Sequence, residues 1–301
     1  MNPIKRVADL HCAMCVLVLA ALPAVASQLD TLVTSDTGNG CTPGLLQGTV
    51  SATLPFHLCQ PSEFLTFGAG ASANADFLSL GTSATASWHS QLTGGSISAS
   101  ATAQAADVVT VGGGNPGDTA FLRFQFRITG TNSAILLGMP GPVGASVGSS
   151  FTNLIACDFN PSLLPIAIGC PGPAEDAILH FGAVDYLNVP VQVEVPVPFG
   201  TPWGIYFELY STTGAVIDSS LVVNFDGSSS FGDAQITSVS VLDSNHQPIS
   251  SPTLVADSGT IYPIATSAVP GPASDALALL GLAGLWACHK RGTGFSEKRL
   301  P

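Results

Sequence analysis

Residue types able to do chemistry are few in this chain, and most of them stand alone. Gly144-Ala145-Ser146-Val147-Gly148 fits G-x-S-x-G, the spacing that exposes a serine nucleophile on a sharp turn between a strand and a helix. Its flanks, Gly141-Pro142 and Ser149-Ser150, supply neither element, so the match is read as chance and no catalytic residue is assigned. His57, His89, His180 and His246 are too far apart in sequence to form a metal-ligand spacing. Glu175-Asp176, Asp226 with Asp233, and Asp243-Ser244-Asn245 could offer oxygens to calcium as a cofactor, but none follows the EF-hand pattern. The simpler reading is that these Asp and Asn residues make turns, and no metal ligand is assigned. Trp88, Trp203, Tyr206 and Tyr210 could stack on sugar rings, although aromatic residues on strands usually pack in a core.

Charge narrows the function classes further. Of the 20 acidic residues, Asp9, Asp275 and Glu297 lie outside residues 27–269, as do six of the 8 basic ones. The body between keeps only Arg123 and Arg127, and its net charge is 2 − 17 = −15. Nucleic acid is excluded as a partner, because affinity for a phosphate backbone comes from Lys and Arg neutralising it. Arg123 and Arg127 share one face of a strand, where they are either solvated or able to bond a ligand.

The elements that must position these groups read as strands. In Leu122 to Ile128, Leu122, Phe124, Phe126 and Ile128 point one way while Arg123, Gln125 and Arg127 point the other. Val191, Val193, Val195 and Val197 alternate with polar residues and prolines, which confines that segment to a sheet edge or an extended loop. Ile205 to Tyr210, Val216 to Phe225 and Ile236 to Leu242 read as further strands, joined by turns at Thr213-Gly214 and Asp226-Gly227. The small-residue zone Gly81 to Ala106 is expected to form flat outer strands around a Gly94-Gly95 hairpin, and the proline-rich stretch 131–175 a long loop-rich crossover. Helical periodicity is almost absent, so the expected fold is all-β, a β-sandwich of jelly-roll type over residues 27–264.

Both ends look different from the body. Lys5 and Arg6, an apolar core from Leu10 to Leu22, and the small residues Ala24 and Ala26 spell a signal peptide over residues 1–26, with cleavage after Ala26 and export across a membrane. Removal of Cys12 and Cys15 with that segment and of Cys288 with the tail leaves 7 − 3 = 4 cysteines: Cys41, Cys59, Cys157 and Cys170. An even number in an exported chain points to disulfides, with three connectivities open. The short-range one, Cys41 with Cys59 and Cys157 with Cys170, would staple two loops at about 3 kcal/mol each.

At the other end, after a linker at 265–268, come Val269-Pro270-Gly271-Pro272-Ala273-Ser274, an apolar run from Ala276 to Cys288, and a basic stop at His289-Lys290-Arg291. This layout over residues 269–301 resembles the PEP-CTERM sorting tail of Gram-negative surface proteins, with Gly271 where that family usually carries Glu. The resemblance implies a transmembrane helix at about 276–289, anchored by Lys290 and Arg291 before processing by an exosortase-type enzyme. It implies a non-enzymatic protein at the cell surface or in the extracellular matrix, associated with exopolysaccharide or biofilm. A secreted carbohydrate- or calcium-binding module and a secreted glycan hydrolase on a jelly-roll are the alternatives, the last requiring two carboxylates across one groove.

Overall fold

The computed structural model of the chain describes residues 27–37, 44–62, 65–91, 94–138, 147–161, 179–181, 185–217 and 222–265. Among these there is no α-helix, and strands account for most of them. In chain order the strands are β1 (Gln28–Thr37), β2 (Gly44–Gly48), β3 (Ser51–Ser62), β4 (Leu65–Asp76), β5 (Ser79–Gln91), β6 (Gly95–Gly112) and β7 (Thr119–Gly138). They continue with β8 (Val147–Phe159), β9 (Leu179–Phe181), β10 (Asp185–Pro198), β11 (Trp203–Ile217), β12 (Val222–Leu242) and β13 (Thr253–Ala256). One sheet runs β2-β1-β6-β11-β8-β9, with β13 also paired to β6, and the other runs β10-β7-β12-β5-β4-β3. Every strand pairing is antiparallel, and the two sheets enclose one core, giving an all-β sandwich.

Alternation decides which face each side chain takes. Leu122, Phe124, Phe126 and Ile128 are buried on the inner face of β7 as the pattern requires. The valines of β10 bury on its partner while Pro190, Pro196 and Pro198 sit on a strand at the end of the sheet, where a missing N–H costs no ladder bond. The small-residue zone corrects the sequence expectation. Its strands β5 and β6 lie inside the two sheets rather than at their margins. Ala84, Ala86, Ala99, Ala101, Ala103 and Ala105 line the core, where their small volume makes room for the buried rings of Phe67, Trp88, Phe124 and Phe207.

Four other boundaries move as well. The turns expected at Thr213-Gly214 and Asp226-Gly227 are strand interior, within β11 and β12. Gly227 is there because an added Cβ would run into the Thr213 hydroxyl and the Phe225 ring, a close approach of two sheets and not a bend. Val216 to Phe225 divides into the end of β11 and the start of β12, and much of the expected crossover at 131–175 is strand, in β7 and β8. The expected signal helix and C-terminal hydrophobic helix lie outside the described residues.

Inside the sandwich, one layer is polar. Thr82 of β5 bonds Ser211 of β11 at 2.5 Å, Ser211 bonds Thr152 of β8 at 2.9 Å, and Thr152 bonds Ser229 of β12 at 2.7 Å. Ser150 donates to the Ser228 carbonyl at 2.7 Å, and Asn132 Oδ1 accepts from Thr152 at 3.4 Å. Thr82, Ser211, Thr152 and Ser229 are all buried, so this chain of hydroxyls joins the sheets away from water.

Candidate functional site

A shallow, open depression lies on the outer face of the six-stranded sheet, with a volume of about 510 Å³. Its floor follows from strand register. Gly68, Ser87, Asp226 and Ile135 form one row across β4, β5, β12 and β7, and Gly70, Thr85, Ser228 and Ser133 form the next. Short hydroxyl side chains therefore sit between two apolar walls, Phe56 on one side and the exposed Ile135 on the other. Three strand spacings of about 4.8 Å separate β4 from β7, which makes the trough about 14 Å wide.

Phe56 reaches this face through a local irregularity. Leu54 pairs with Ala71 and His57 with Ala69, so Pro55 and Phe56 together oppose Gly70, and the register shifts. Such a bulge re-aims a side chain. The aromatic ring rests against β4 where the sequence has no side chains: a Cβ on Gly68 would lie 2.6 Å from Phe56 Cζ, and one on Gly70 2.6 Å from Phe56 Cα. The ring keeps 49% of its residue surface exposed. At one end of the trough, His89 Nδ1 meets Asn224 Oδ1 at 3.1 Å and His89 Nε2 meets Asp226 Oδ1 at 3.6 Å. An aromatic wall over a floor of hydroxyls with an amide and a carboxylate at one end can stack an apolar ring face and bond its hydroxyl edge.

Two further polar groupings occupy the outer faces. On the six-stranded sheet, Arg123 binds Glu194 Oε1 at 2.6 Å, and Glu194 Oε2 lies 2.8 Å from His246 Nδ1. The His246 ring stacks on Phe121 with centroids 4.2 Å apart. Arg123 is thus held by its own strand neighbour, while Arg127 is exposed, and the two do not converge on one ligand. On the seven-stranded sheet, Asp30, Gln104 and Glu208 lie in one row across β1, β6 and β11. Gln47 donates to Asp30 at 2.9 Å, and Gln104 and Tyr206 both donate to Glu208, at 2.9 and 2.5 Å. Burial pushes the Asp30 carboxyl above its usual range, against the opposing bonds from Gln47 and the Thr31 N–H. The two carboxylates are two strand spacings apart, about 10 Å, with an amide between them.

The residues singled out from sequence fare unevenly. Trp88 and Tyr206 are buried, Trp203 donates its indole N–H to Asp158 at 2.7 Å, and Tyr210 packs beside Phe151, so none of the four lines the trough. Asp226 and Asp233 are seven residues apart along β12, about 20 Å, and form no common site. Asp243 makes a turn: the N–H groups of Gln247 and Asn245, each at 2.8 Å, bond its carboxylate and hold it below the usual range. Among the described residues no three His, Cys, Asp or Glu side chains come together as a metal site. Ser146 lies outside the described residues, and Val147 and Gly148 begin strand β8 where an elbow would need a helix. The missing Cβ of Gly148 makes room for Phe225, whose ring would lie 2.5 Å away. Glu175 and Asp176, Ala24 and Ala26, Val269 to Ser274, and Lys290 and Arg291 also lie outside the described residues, as do Cys41 and Cys170. His57 is exposed on β3.

Phe56 and Ile135 escaped notice in the sequence. The usable signals were Pro55 inside a strand-like run, which marks an irregularity, and Gly68-x-Gly70 in a strand, which marks a close approach. Comparison of the chain with protein-family models, with curated proteins and with solved structures returned no match.

Proposed function

We propose that this is an exported, non-enzymatic protein of the cell surface or extracellular matrix that binds polysaccharide in the Phe56 trough. The observation that carries the binding half is the seating of Phe56 on two glycines above a hydroxyl floor. The trough is open, which suits a polymer passing across it better than an enclosed small molecule. Among the described residues its one carboxylate is Asp226 and no Lys or Arg lines it, and the body carries −15. Like-charge repulsion therefore favours a neutral or amino-bearing glycan over a polyuronate.

The export half rests on the two ends of the sequence. In this reading the signal is cut after Ala26, the sandwich is of jelly-roll type, and the tail with Val269-Pro270-Gly271-Pro272-Ala273-Ser274 is handled by an exosortase-type enzyme in a Gram-negative cell. The half-cystine state of Cys59 and Cys157 supports two bridges. Cys59 packs towards the inter-sheet core and Cys157 sits with Tyr206 on the outer side of the seven-stranded sheet, so pairing with Cys41 and Cys170 is favoured over a bond between the two.

The test is retention of the protein on immobilised neutral, amino-bearing and acidic polysaccharides, with Phe56→Ala as control. Loss of one aromatic wall is expected to weaken binding at least tenfold, about 1.4 kcal/mol, with acidic polymers bound least. Equal retention of the Phe56→Ala protein would sink the trough as the binding site. Release of new reducing ends that Asp30→Asn or Glu208→Gln abolishes would replace it with the hydrolase reading.

A further inference from the structure

At one end of the inner face of β6, the alternation of alanines and valines is broken by a carboxylate. Asp107 has the same parity as Ala105 and Val109 and is 1% exposed. It collects an unusual number of donors. Oδ1 accepts from Ser27 Oγ at 2.6 Å, from the Val108 N–H at 2.8 Å and from the Ser258 N–H at 3.2 Å. Oδ2 accepts from Ser258 Oγ at 2.6 Å and from the Tyr262 hydroxyl at 3.1 Å. The acceptor positions of a carboxylate number about four, so hydrogen bonding is saturated. What this buried anion lacks is a counter-charge: no ion pair among the described residues includes it. Tyr262, the titratable group that touches it, is neutral at ordinary pH, and Asp76 beyond Tyr262 adds negative charge.

Ser27 is the residue that follows the expected signal cleavage site. Resting on that part of the proposed function, we propose that Asp107 is a built-in receptor for the α-ammonium group that cleavage creates on Ser27. The amine nitrogen of a serine lies about 3 Å from its own Oγ, which places the new cation within about 6 Å of Asp107, close enough to act as its counter-ion. Before cleavage the same nitrogen is a neutral amide. Processing thus supplies the missing charge to a carboxylate that also holds Ser258 and Tyr262, the segment leading from β13 to residue 265. Removal of the leader at one end tightens the strap at the other.

The experiment compares protein released with Ser27 as its first residue against protein carrying two extra glycines before Ser27, each with Asp107 and with Asp107→Asn. The expected result is an α-amine titrating about one unit above its ordinary value near 8 in the Ser27 form. For a domain of this size that corresponds to a Tm about 3–5 °C above the Gly-Gly form. The gap closes in the Asp107→Asn pair. Equal melting of the two wild-type forms, or a gap that survives Asp107→Asn, overturns the inference. Should Asp107→Asn not fold, the amine titration on the Ser27 form decides alone, an ordinary value refuting the pairing. Terminal-peptide mass of the exported protein tests the other premise: a start away from Ser27 removes the processing reading while the melting comparison stands on its own.

Discussion

Thr152 is where the hydroxyl layer between the sheets is most exposed to a clean perturbation. Thr152→Val keeps the shape of the side chain and removes its oxygen, which bonds Ser211 at 2.9 Å and Ser229 at 2.7 Å in a fully buried setting. Two bonds at about 1 kcal/mol net, plus the desolvation of a hydroxyl left short of a partner, amount to about 2–4 kcal/mol. In a domain of this size each kcal/mol shifts Tm by about 2–4 °C, so a drop of roughly 5–15 °C is expected. Urea denaturation followed by tryptophan fluorescence gives the free energy directly, with an unchanged slope showing that the unfolded state is the same. Thr152→Val/Ser211→Ala/Ser229→Ala is the companion variant. Removing the partners together leaves fewer orphaned groups, so the triple change costs at least 1 kcal/mol less than the sum of the three single changes. A Thr152→Val protein within about 0.5 kcal/mol of the parent, or three strictly additive costs, would refute the view that these hydroxyls stabilise one another.

Asp30→Asn is expected to raise Tm at neutral pH, because burial disfavours the charged carboxylate in the folded state. A raised folded pKa means that the native state loses ground as pH rises through the carboxylate range, so the gain shrinks to nothing in melts below about pH 3.5. Ser90→Ala removes a buried hydroxyl that has no hydrogen-bond partner among the described residues, and should stabilise by about 1 kcal/mol in chemical denaturation; a loss of stability would mean that the oxygen is satisfied in solution. Burial, helped by the Asp107 charge and hydrogen bond, pushes the Tyr262 phenol far above its usual range. Its unfolded form ionises above about pH 10, so wild-type stability falls by about 1.4 kcal/mol per pH unit there, a slope that Tyr262→Phe lacks in alkaline denaturation.

Sequence alone revealed the strands whose inner residues are large and whose outer residues are charged, as at Leu122 to Ile128, because the period of two is written in contrasting side chains. It failed where both faces are small. In Ala99 to Ala105 the inward residues are alanines and the outward ones Ser, Thr and Gln, and nothing local says that such a strand lies in the middle of a sheet. That placement comes from the bulk of Phe124, Trp88 and Phe207 on other strands. Gly214 and Gly227 misled for a related reason, since a glycine that clears space for its paired strand, as Gly214 does for Ile97 and Ser98 of β6, or for the facing sheet, as Gly227 does for Thr213, is spelled the same way as one that turns the chain. The trough was invisible because its floor is assembled by register from four strands. Asp107 was passed over as one acidic residue among many, its donors lying as far as 155 positions away.

β6 also dictates the order in which the chain can fold. It receives β1 from the N-terminal side and β11 and β13 from the C-terminal side. A chain emerging from its beginning can form the β3-β4-β5 meander early, since those strands are consecutive neighbours. The edge of β6 from Gly95 to Val109 then waits for β11, and Val109 to Gly112 wait for β13, whose last residue is Ala256. Contacts this distant in sequence form slowly. The sandwich therefore closes only when nearly all of it is available at once, which keeps the chain threadable until its last strand has arrived.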